Sequence, residues 1–369
     1  KKLHLENFRL FSQLLLEFDQ QVTVIVAPNA MGKSSVAEAI RLLSVGQSFR
    51  AGKIEEMIKI DQELGRVRAK VVDSVDDLDA ELQELGELEL SVLISRGMIN
   101  DQRTHKLLFS VNENRRQKKK FIGQLLTVVF RPEDMRLVEG SPGRRRDYLD
   151  SPLQLTDYEY SDSLGQYAQT LRRRNRLLSL IRDGQQNQEV LTYWDLSLIK
   201  HGERLQKKRR ELIDFINAQV EAPLPMKIEY QPSLISKKRI LDHRVAEIAT
   251  GFTLVGPHKD DFDVLLNLDQ DSSSLADYKS LNAYGSRGQK RMGVVWLKKA
   301  ELVYLKQQTK RSPVLILDDI LSELDQDNQQ RVLDLIDGEQ VIITTVDSTL
   351  ITEIKKKFQD LKLVELAKL

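Results

Sequence analysis

Apolar and polar positions follow two rhythms along the chain, and the rhythm changes twice. Near the start, "QVTVIVA" (Gln21–Ala27) is a β-branched apolar run with the length of a buried parallel strand. "KSSVAEAIRLLSV" (Lys33–Val45) then sets Val36, Ala37, Ile40 and Leu43 on one helical face. Between Arg66 and Val111, "GRVRAKVVD", "ELELSVLIS" and "KLLFSVN" predict short antiparallel strands. From Thr156 to Ala222 proline is absent and Leu, Arg, Gln, Lys and Glu dominate. Here "YSDSLGQYAQTLRRRNRLLSLI" and "YWDLSLIKHGERLQKKRRELIDFINAQV" are long helical patterns separated by the turn at Asp183-Gly184. Two antiparallel helices forming an arm are predicted. The last third returns to α/β: helix "SRGQKRMGVVWLKKAELVYL", buried strand "PVLILDD", helix "NQQRVLDLI", buried strand "QVIITTVD" and a final helix. No repeat of ~20–50 residues is present.

Composition narrows the class. The 369 residues are 41% hydrophobic and 30% charged, an ordinary globular balance with room for two or three compact units. No apolar run approaches the ~18 residues of a membrane span, so no membrane association is expected. The start lacks the pattern of a secretory signal, so the cytoplasm is the default location. The chain has no Cys, which excludes disulfides and thiolate metal sites. Its five His residues form no H-x-x-x-H pair, which argues against a structural zinc. Net charge is only +1, but it is unevenly placed. An acidic block covers Asp73–Glu89. Basic runs occur at Arg115–Lys120, Arg144–Arg146, Arg172–Arg176, Lys207–Arg210 and Lys237–Arg239. Each run alone reads as a solvated helix face or loop; five together suggest a basic surface for nucleic acid.

The first candidate chemistry lies at the strand–helix junction "APNAMGKSS". A phosphate-binding loop needs free backbone N–H groups, a helix N-terminus, a Lys for the β/γ-phosphates and a Ser or Thr for Mg²⁺. Gly32, Lys33 and Ser34 supply the end of G-x-x-x-x-G-K-[ST], while Ala27 replaces the first glycine. Pro28 pushes residue 27 toward extended backbone, which Ala adopts cheaply. A left-handed Ala would cost ~1 kcal/mol or more. The candidate nucleotide-binding residues are Ala27, Pro28, Asn29, Ala30, Met31, Gly32, Lys33, Ser34 and Ser35.

"PVLILDDILSELD" delivers Asp318 to the end of a strand, a Walker B arrangement in which it joins the Mg²⁺ shell. Asp319 follows, placed to orient or deprotonate the attacking water. Lys33, Asp318 and Asp319 are the catalytic candidates, and Ser34 and Asp318 the metal candidates. "YGSRGQKR" (Tyr284–Arg291) is a small-residue turn opening onto a helix, where the amides of Ser286 and Gly288 offer an anion site. In this position it looks like the signature of ATP-binding-cassette (ABC) ATPases, with "LSELD" (Leu321–Asp325) at the place of their D-loop. That likeness implies a dimer in which the signature of one subunit closes on the γ-phosphate held by the other.

Further stretches carry a narrower resemblance. "LHLENFRLF" (Leu3–Phe11), "GQSFR" (Gly46–Arg50), "PEDMRLVEGSPGRRRDYLD" (Pro132–Asp150), "VGPHKDD" (Val255–Asp261), "SRGQ" and "LDDILSELD" together resemble the RecF family, relatives of the SMC and Rad50 heads, over essentially the whole chain. Ala27 departs from the family pattern. So do Asn328, where a basic residue is usual, the displaced leucine after it, and the Gln-rich arm.

The resemblance implies an α/β P-loop ABC-type ATPase head, with a mixed sheet, an antiparallel β subdomain and an inserted helical arm. The head would occupy 1–130 and 251–369, and the arm or second lobe 131–250. It implies a weak DNA-stimulated ATPase that uses ATP and Mg²⁺ and forms an ATP-dependent homodimer. Its DNA would be gapped, with single-strand/double-strand junctions. It would work with RecR and RecO to load RecA in recombinational repair, replication restart and SOS induction. In this chain Lys33 and the loop amides would hold phosphates, and Ser34 and Asp318 the Mg²⁺. Asp319 would orient water, and Ser286, Gly288 and Gln289 would reach the partner's ATP. Arg9 would touch the nucleotide, or else is a surface residue on a turn. Arg145 and Arg146 are open to packing, ion pairing or DNA contact, and His258 and Lys259 to contact with DNA or nucleotide.

Three rival readings stay open. An ABC transporter nucleotide-binding subunit is opposed by the short, non-LSGGQ signature and the inserted arm. An ATP-gated DNA clamp with negligible hydrolysis draws support from Ala27. A nuclease ATPase of the overcoming-lysogenization type shares the "NFR" opening and calls for a further domain after the head.

Overall fold

The computed structural model describes residues 2–18, 21–72, 87–99, 102–268, 277–334, 338–358 and 361–366. Most of the acidic block, residues 73–86, lies outside the described residues. The chain forms two compact units, one of Lys1–Asp134 with Glu301–Leu369 and one of Met135–Ala300. Residues 251–300, which the sequence reading groups with the C-terminal half of the head, fall within the second unit.

The first unit opens with β1 (Lys2–Phe8), β2 (Phe11–Glu17), β3 (Val22–Val26) and α1 (Lys33–Val45). β4 (Leu64–Val71), β5 (Leu88–Ser95), the small hairpin β6 (Met98–Ile99) and β7 (Gln102–Arg103), β8 (Leu107–Val111), β9 (Asn114–Arg116), α2 (Lys118–Phe121) and β10 (Thr127–Phe130) follow. The second unit contains α3 (Arg136–Glu139), α4 (Pro142–Thr156), α5 (Tyr158–Arg182), α6 (Thr192–Gln219), β11 (Met226–Gln231) and α7 (Lys237–Thr250). It continues with β12 (Asp261–Asn267), β13 (Tyr278–Ser280), α8 (Leu281–Tyr284) and α9 (Arg287–Thr309), whose residues count with the first unit from Glu301 on. The chain then adds β14 (Val314–Asp318), α10 (Gln326–Asp334), β15 (Val341–Thr345), α11 (Ser348–Lys357) and β16 (Leu361–Glu365) to the first unit.

Two sheets build that first unit. One is antiparallel, in the order β2-β1-β4-β5-β8-β9, and contains the three strands expected between Arg66 and Val111. Its strands alternate: Leu3 and Leu5 of β1 are buried while Lys2 is exposed, as suits a sheet covered on one face. The other is parallel throughout, in the order β10-β14-β15-β3-β16. β3, β14 and β15 are near-continuous apolar runs because both faces of their sheet are covered. Helix α1 packs on both sheets, and Val36, Ala37, Ile40 and Leu43 join Leu3, Leu5, Phe8, Ile25 and Ile316 in one core cluster. β16, on the outer side of β3, has no counterpart in the sequence reading.

The second unit contains the predicted helix pair. α5 and α6 fold back on each other after the turn at Gly184, which takes φ 72, and α4, α7 and β11 pack on them. Asp157 caps α5 by accepting from the Tyr160 N–H at 2.8 Å.

Charged residues also fill this interior, and here the structure corrects the reading of the basic runs as surface. Arg174 is fully buried; it bonds Glu247 at 2.6 Å, Asp195 at 2.9 Å and the Thr253 hydroxyl at 2.7 Å. Arg209 grips both Asp150 oxygens at 2.9 and 3.0 Å, and bonds Asp260 at 2.9 Å and the Pro257 carbonyl at 2.8 Å. Two members of the basic runs are therefore internal struts. Their neighbours Arg172, Arg173, Arg176, Lys207 and Arg210 are exposed.

Candidate nucleotide-binding site

The phosphate loop forms where β3 gives way to α1. Gly32 sits immediately before the helix with φ 92, a left-handed value, and a methyl group there would collide with the ring of buried Phe11. Only glycine satisfies both constraints. The other left-handed residue of the loop is Ala30, at φ 65. Ala27 is not among the positive-φ residues; it is buried, 3% exposed, within the core cluster. The glycine missing from position 27 is thus not one the backbone there requires. Lys33 folds its ammonium back onto the loop, donating to the carbonyls of Ala27 at 2.7 Å and Pro28 at 3.1 Å. Burial pulls the Lys33 pKa down, against the opposing charges of Asp319 and Asp318.

The parallel sheet brings the other half of the site alongside. β14 lies one strand away from β3, with β15 between them. Asp318, last in β14, receives a hydrogen bond from the Thr344 hydroxyl at 2.8 Å, with the Ser34 hydroxyl close by. Burial raises the Asp318 pKa; the Thr344 and Ser34 hydroxyls and the charges of Arg131 and Arg50 oppose the rise. Asp319 turns sharply out of the strand at φ 56. Burial raises its pKa as well, opposed by Lys33 and the Ser322 hydroxyl and reinforced by Glu323. Lys33, Ser34, Asp318 and Asp319, from opposite ends of the sequence, therefore share one site.

The residues fit Mg²⁺. Ser34 and Asp318 present adjacent hard oxygens, and Asp319 Oδ1 is buried without a hydrogen-bond partner. Mg²⁺ is held by one or two such protein oxygens together with phosphate and water. Among the described residues no group of three or more His, Cys, Asp or Glu forms a metal cage.

A family model described as the RecF/RecN/SMC N-terminal domain matches residues 1–365. The DNA replication and repair protein RecF of Caldanaerobacter subterraneus subsp. tengcongensis is 34% identical over 364 residues, 93% of each chain. The chain belongs to the RecF family. RecF of Bacillus cereus is 32% identical over 93% of this chain and 91% of its own. Two solved structures of the recombination mediator protein RecF in the RecFOR pathway, RecF-ATPrS and RecF-ATP, match with TM-scores of 0.79 and 0.78. Both are 30% identical, over 95% of this chain and 92% of theirs.

The remaining RecF-type candidates divide by what their side chains hold. Arg9, left-handed at φ 54, is clamped to buried Glu38 of α1 at 2.6 and 2.8 Å and to the Glu56 carbonyl at 2.7 Å. Glu38 also accepts from Ser48, which ties "GQSFR" to the loop helix. In the second unit, the Ser286 N–H donates to Gln289 Oε1 at 2.8 Å and the Gln289 N–H to Ser286 Oγ at 3.3 Å, a capping box. Each side chain satisfies the other residue's backbone N–H, so the groups left to bind an anion at the start of α9 are the first-turn amides of Arg287 and Gly288. Gly288 has open space where a side chain would stand.

Arg145 forks onto Asp261 at 2.6 and 2.9 Å, and Arg146 donates to the Asp260 carbonyl at 2.9 Å. His258 accepts from the Tyr167 hydroxyl at 2.7 Å and donates to the Thr253 carbonyl at 3.0 Å. All three are tied into the second unit. Lys259 beside them is exposed. Sequence reasoning missed Thr344 and Arg131. Arg131 stacks on Phe49 with its guanidinium 4.3 Å from the ring centre and bonds Asp134 at 3.2 Å. The only signal for Thr344 was a polar residue closing the apolar run "QVIITT".

Proposed function

We propose that this chain is an ATP-dependent DNA-binding protein. It dimerises on ATP, engages gapped DNA at single-strand/double-strand junctions, and acts with RecR and RecO to load RecA in recombinational repair and replication restart. ATP hydrolysis is slow and stimulated by DNA. One observation carries the reading: the parallel sheet sets Lys33 and Ser34 of the phosphate loop beside Asp318 and Asp319 at the tip of the distant β14, near enough for these groups to shift one another's pKa. A loop that merely joined a strand to a helix would have no reason to meet those carboxylates.

In this reading ATP phosphates draw Lys33 away from the Ala27 and Pro28 carbonyls and onto themselves. Ser34 and Asp318 would hold Mg²⁺, which would supply charge neutralisation at the phosphates, and Asp319 would orient the attacking water. The amides at the start of α9 approach the γ-phosphate held by the partner subunit. Exposed Lys207, Arg210 and Lys237 belong to the DNA-facing charge, and their contacts release counterions, so binding weakens with salt. The cytoplasm is the corresponding location.

The test is sedimentation of the wild type and Lys33→Ala with and without ATP. The wild type should shift to a dimer with ATP and the variant should stay monomeric. An ATP dimer of normal stability in the variant would remove the loop from the function.

A further inference from the structure

We infer that Thr344 is a positioning residue for hydrolysis, a hydroxyl that sets the metal-binding and water-orienting carboxylates relative to each other. The inference rests on the ATPase reading above and adds a residue to it. Thr344 lies in β15, opposite Asp318 in the parallel register, and is 1% exposed.

A threonine hydroxyl has one proton and two lone pairs. The proton goes to Asp318 Oδ1 at 2.8 Å, so a lone pair meets the Asp319 N–H at 3.1 Å. The Thr344 backbone carbonyl accepts from the same N–H, also at 3.1 Å. One side chain thus holds the carboxylate of the first acid and the backbone of the second.

The second acid needs that hold. Consecutive residues of a strand point to opposite faces, so an extended Asp319 would turn away from Asp318. Instead Asp319 takes φ 56, and both carboxylates act on Lys33. Left-handed backbone is unfavourable for a non-glycine residue, and here a two-acceptor bond from its own N–H opposes the relaxation. Asp319 Oδ1 is buried and unpartnered, so no hydrogen bond to that oxygen fixes the direction of the carboxylate.

The experiment is Thr344→Val, which removes the hydroxyl but keeps the β-branched shape and the backbone bond to Asp319. ATP turnover is measured with gapped DNA and Mg²⁺. The kcat should fall about tenfold or more, as expected for loss of an oriented acid–base group, with KM for ATP within about twofold. Thr344→Ser, which restores the hydroxyl, should return kcat to within about threefold of the wild type. In an Asp319→Ala background, Thr344→Val should lower kcat little further, because the two act as one unit. ATP affinity in the presence of a chelator should match the wild type, which a collapsed site would not allow, and the melting temperature without nucleotide should fall only by the few degrees expected for one lost buried hydroxyl. If the valine variant does not fold, Thr344→Ala takes its place.

Wild-type turnover by Thr344→Val, or a loss that multiplies fully onto Asp319→Ala, overturns the inference and leaves the ATPase reading standing. A wild-type protein that neither binds nor hydrolyses ATP overturns both.

Discussion

Replacing Arg209 with methionine should act on folding before it acts on anything else. The side chain is 3% exposed, and its guanidinium bonds Asp150, Asp260 and the Pro257 carbonyl. Asp260 is itself fully buried and also accepts from Tyr230 at 2.5 Å and Gln206 at 2.8 Å. Removing the cation strands two carboxylates away from water. Breaking a buried pair from one side costs about 3–5 kcal/mol. For a domain of roughly 150–250 residues each kcal/mol moves the midpoint by ~2–4 °C, so melting should come about 6–20 °C earlier. Arg209→Lys should fall between, since an ammonium keeps the charge but cannot fork onto both Asp150 oxygens. Thermal melting of the full chain by circular dichroism is the assay, with DNA binding measured well below the new midpoint. Normal melting with DNA binding lost would place Arg209 on the DNA surface and refute the strut assignment.

Two further outcomes follow from buried groups. Burial, aided by the Lys259 and Arg146 charges, holds the His258 pKa below its usual 6.5, so the unfolded chain takes up its proton first as pH falls. Stability contributed by neutral His258 should be complete above pH 6.5 and be lost as pH drops through its folded value. Urea unfolding between about pH 7 and about pH 5 should show the loss in the wild type and a flatter profile in His258→Gln, and equal slopes would remove His258 as the cause. Ala27→Gly should leave ATP affinity within about twofold and lower stability by about 1 kcal/mol, through chain entropy and a lost buried methyl. Nucleotide titration beside urea unfolding checks both, and a tenfold tighter site would show that the loop does need the glycine.

The elements that local pattern controls were legible. β3, α1, α5, α6, α9, β14 and β15 each announce themselves by apolar run or helical period. β16 did not, because "LKLVE" is short, mixes charged and apolar residues, and becomes a strand only by pairing with β3. At the site, Lys33, Ser34 and Asp318 were readable from motif spacing, since phosphate and metal chemistry constrain residue types closely. Thr344 was not, because its role arises from lying beside β14 and nothing in its own neighbourhood marks it. The capping box of Ser286 and Gln289 was available as S-x-x-Q, yet position ahead of Walker B drew attention to ligand contact instead. Basic runs misled for a general reason. A count of charges along a helix does not say which of four consecutive residues faces inward, and Arg209 between Lys208 and Arg210 does. Its acidic partners lie 59 and 51 positions away in sequence.

The strand order of the parallel sheet also has a consequence for biosynthesis. β3 is made early, but both of its neighbours, β15 and β16, are made only after the whole of the second unit. Until β15 emerges, a growing chain lacks the strands that flank β3 in the folded sheet, and open strand edges invite pairing with other chains. Met135–Ala300 is complete well before then and is free to fold first. The loop after β3 thus precedes β14 by the whole of the second unit, and a chain cut short before β14 would carry the loop without Asp318.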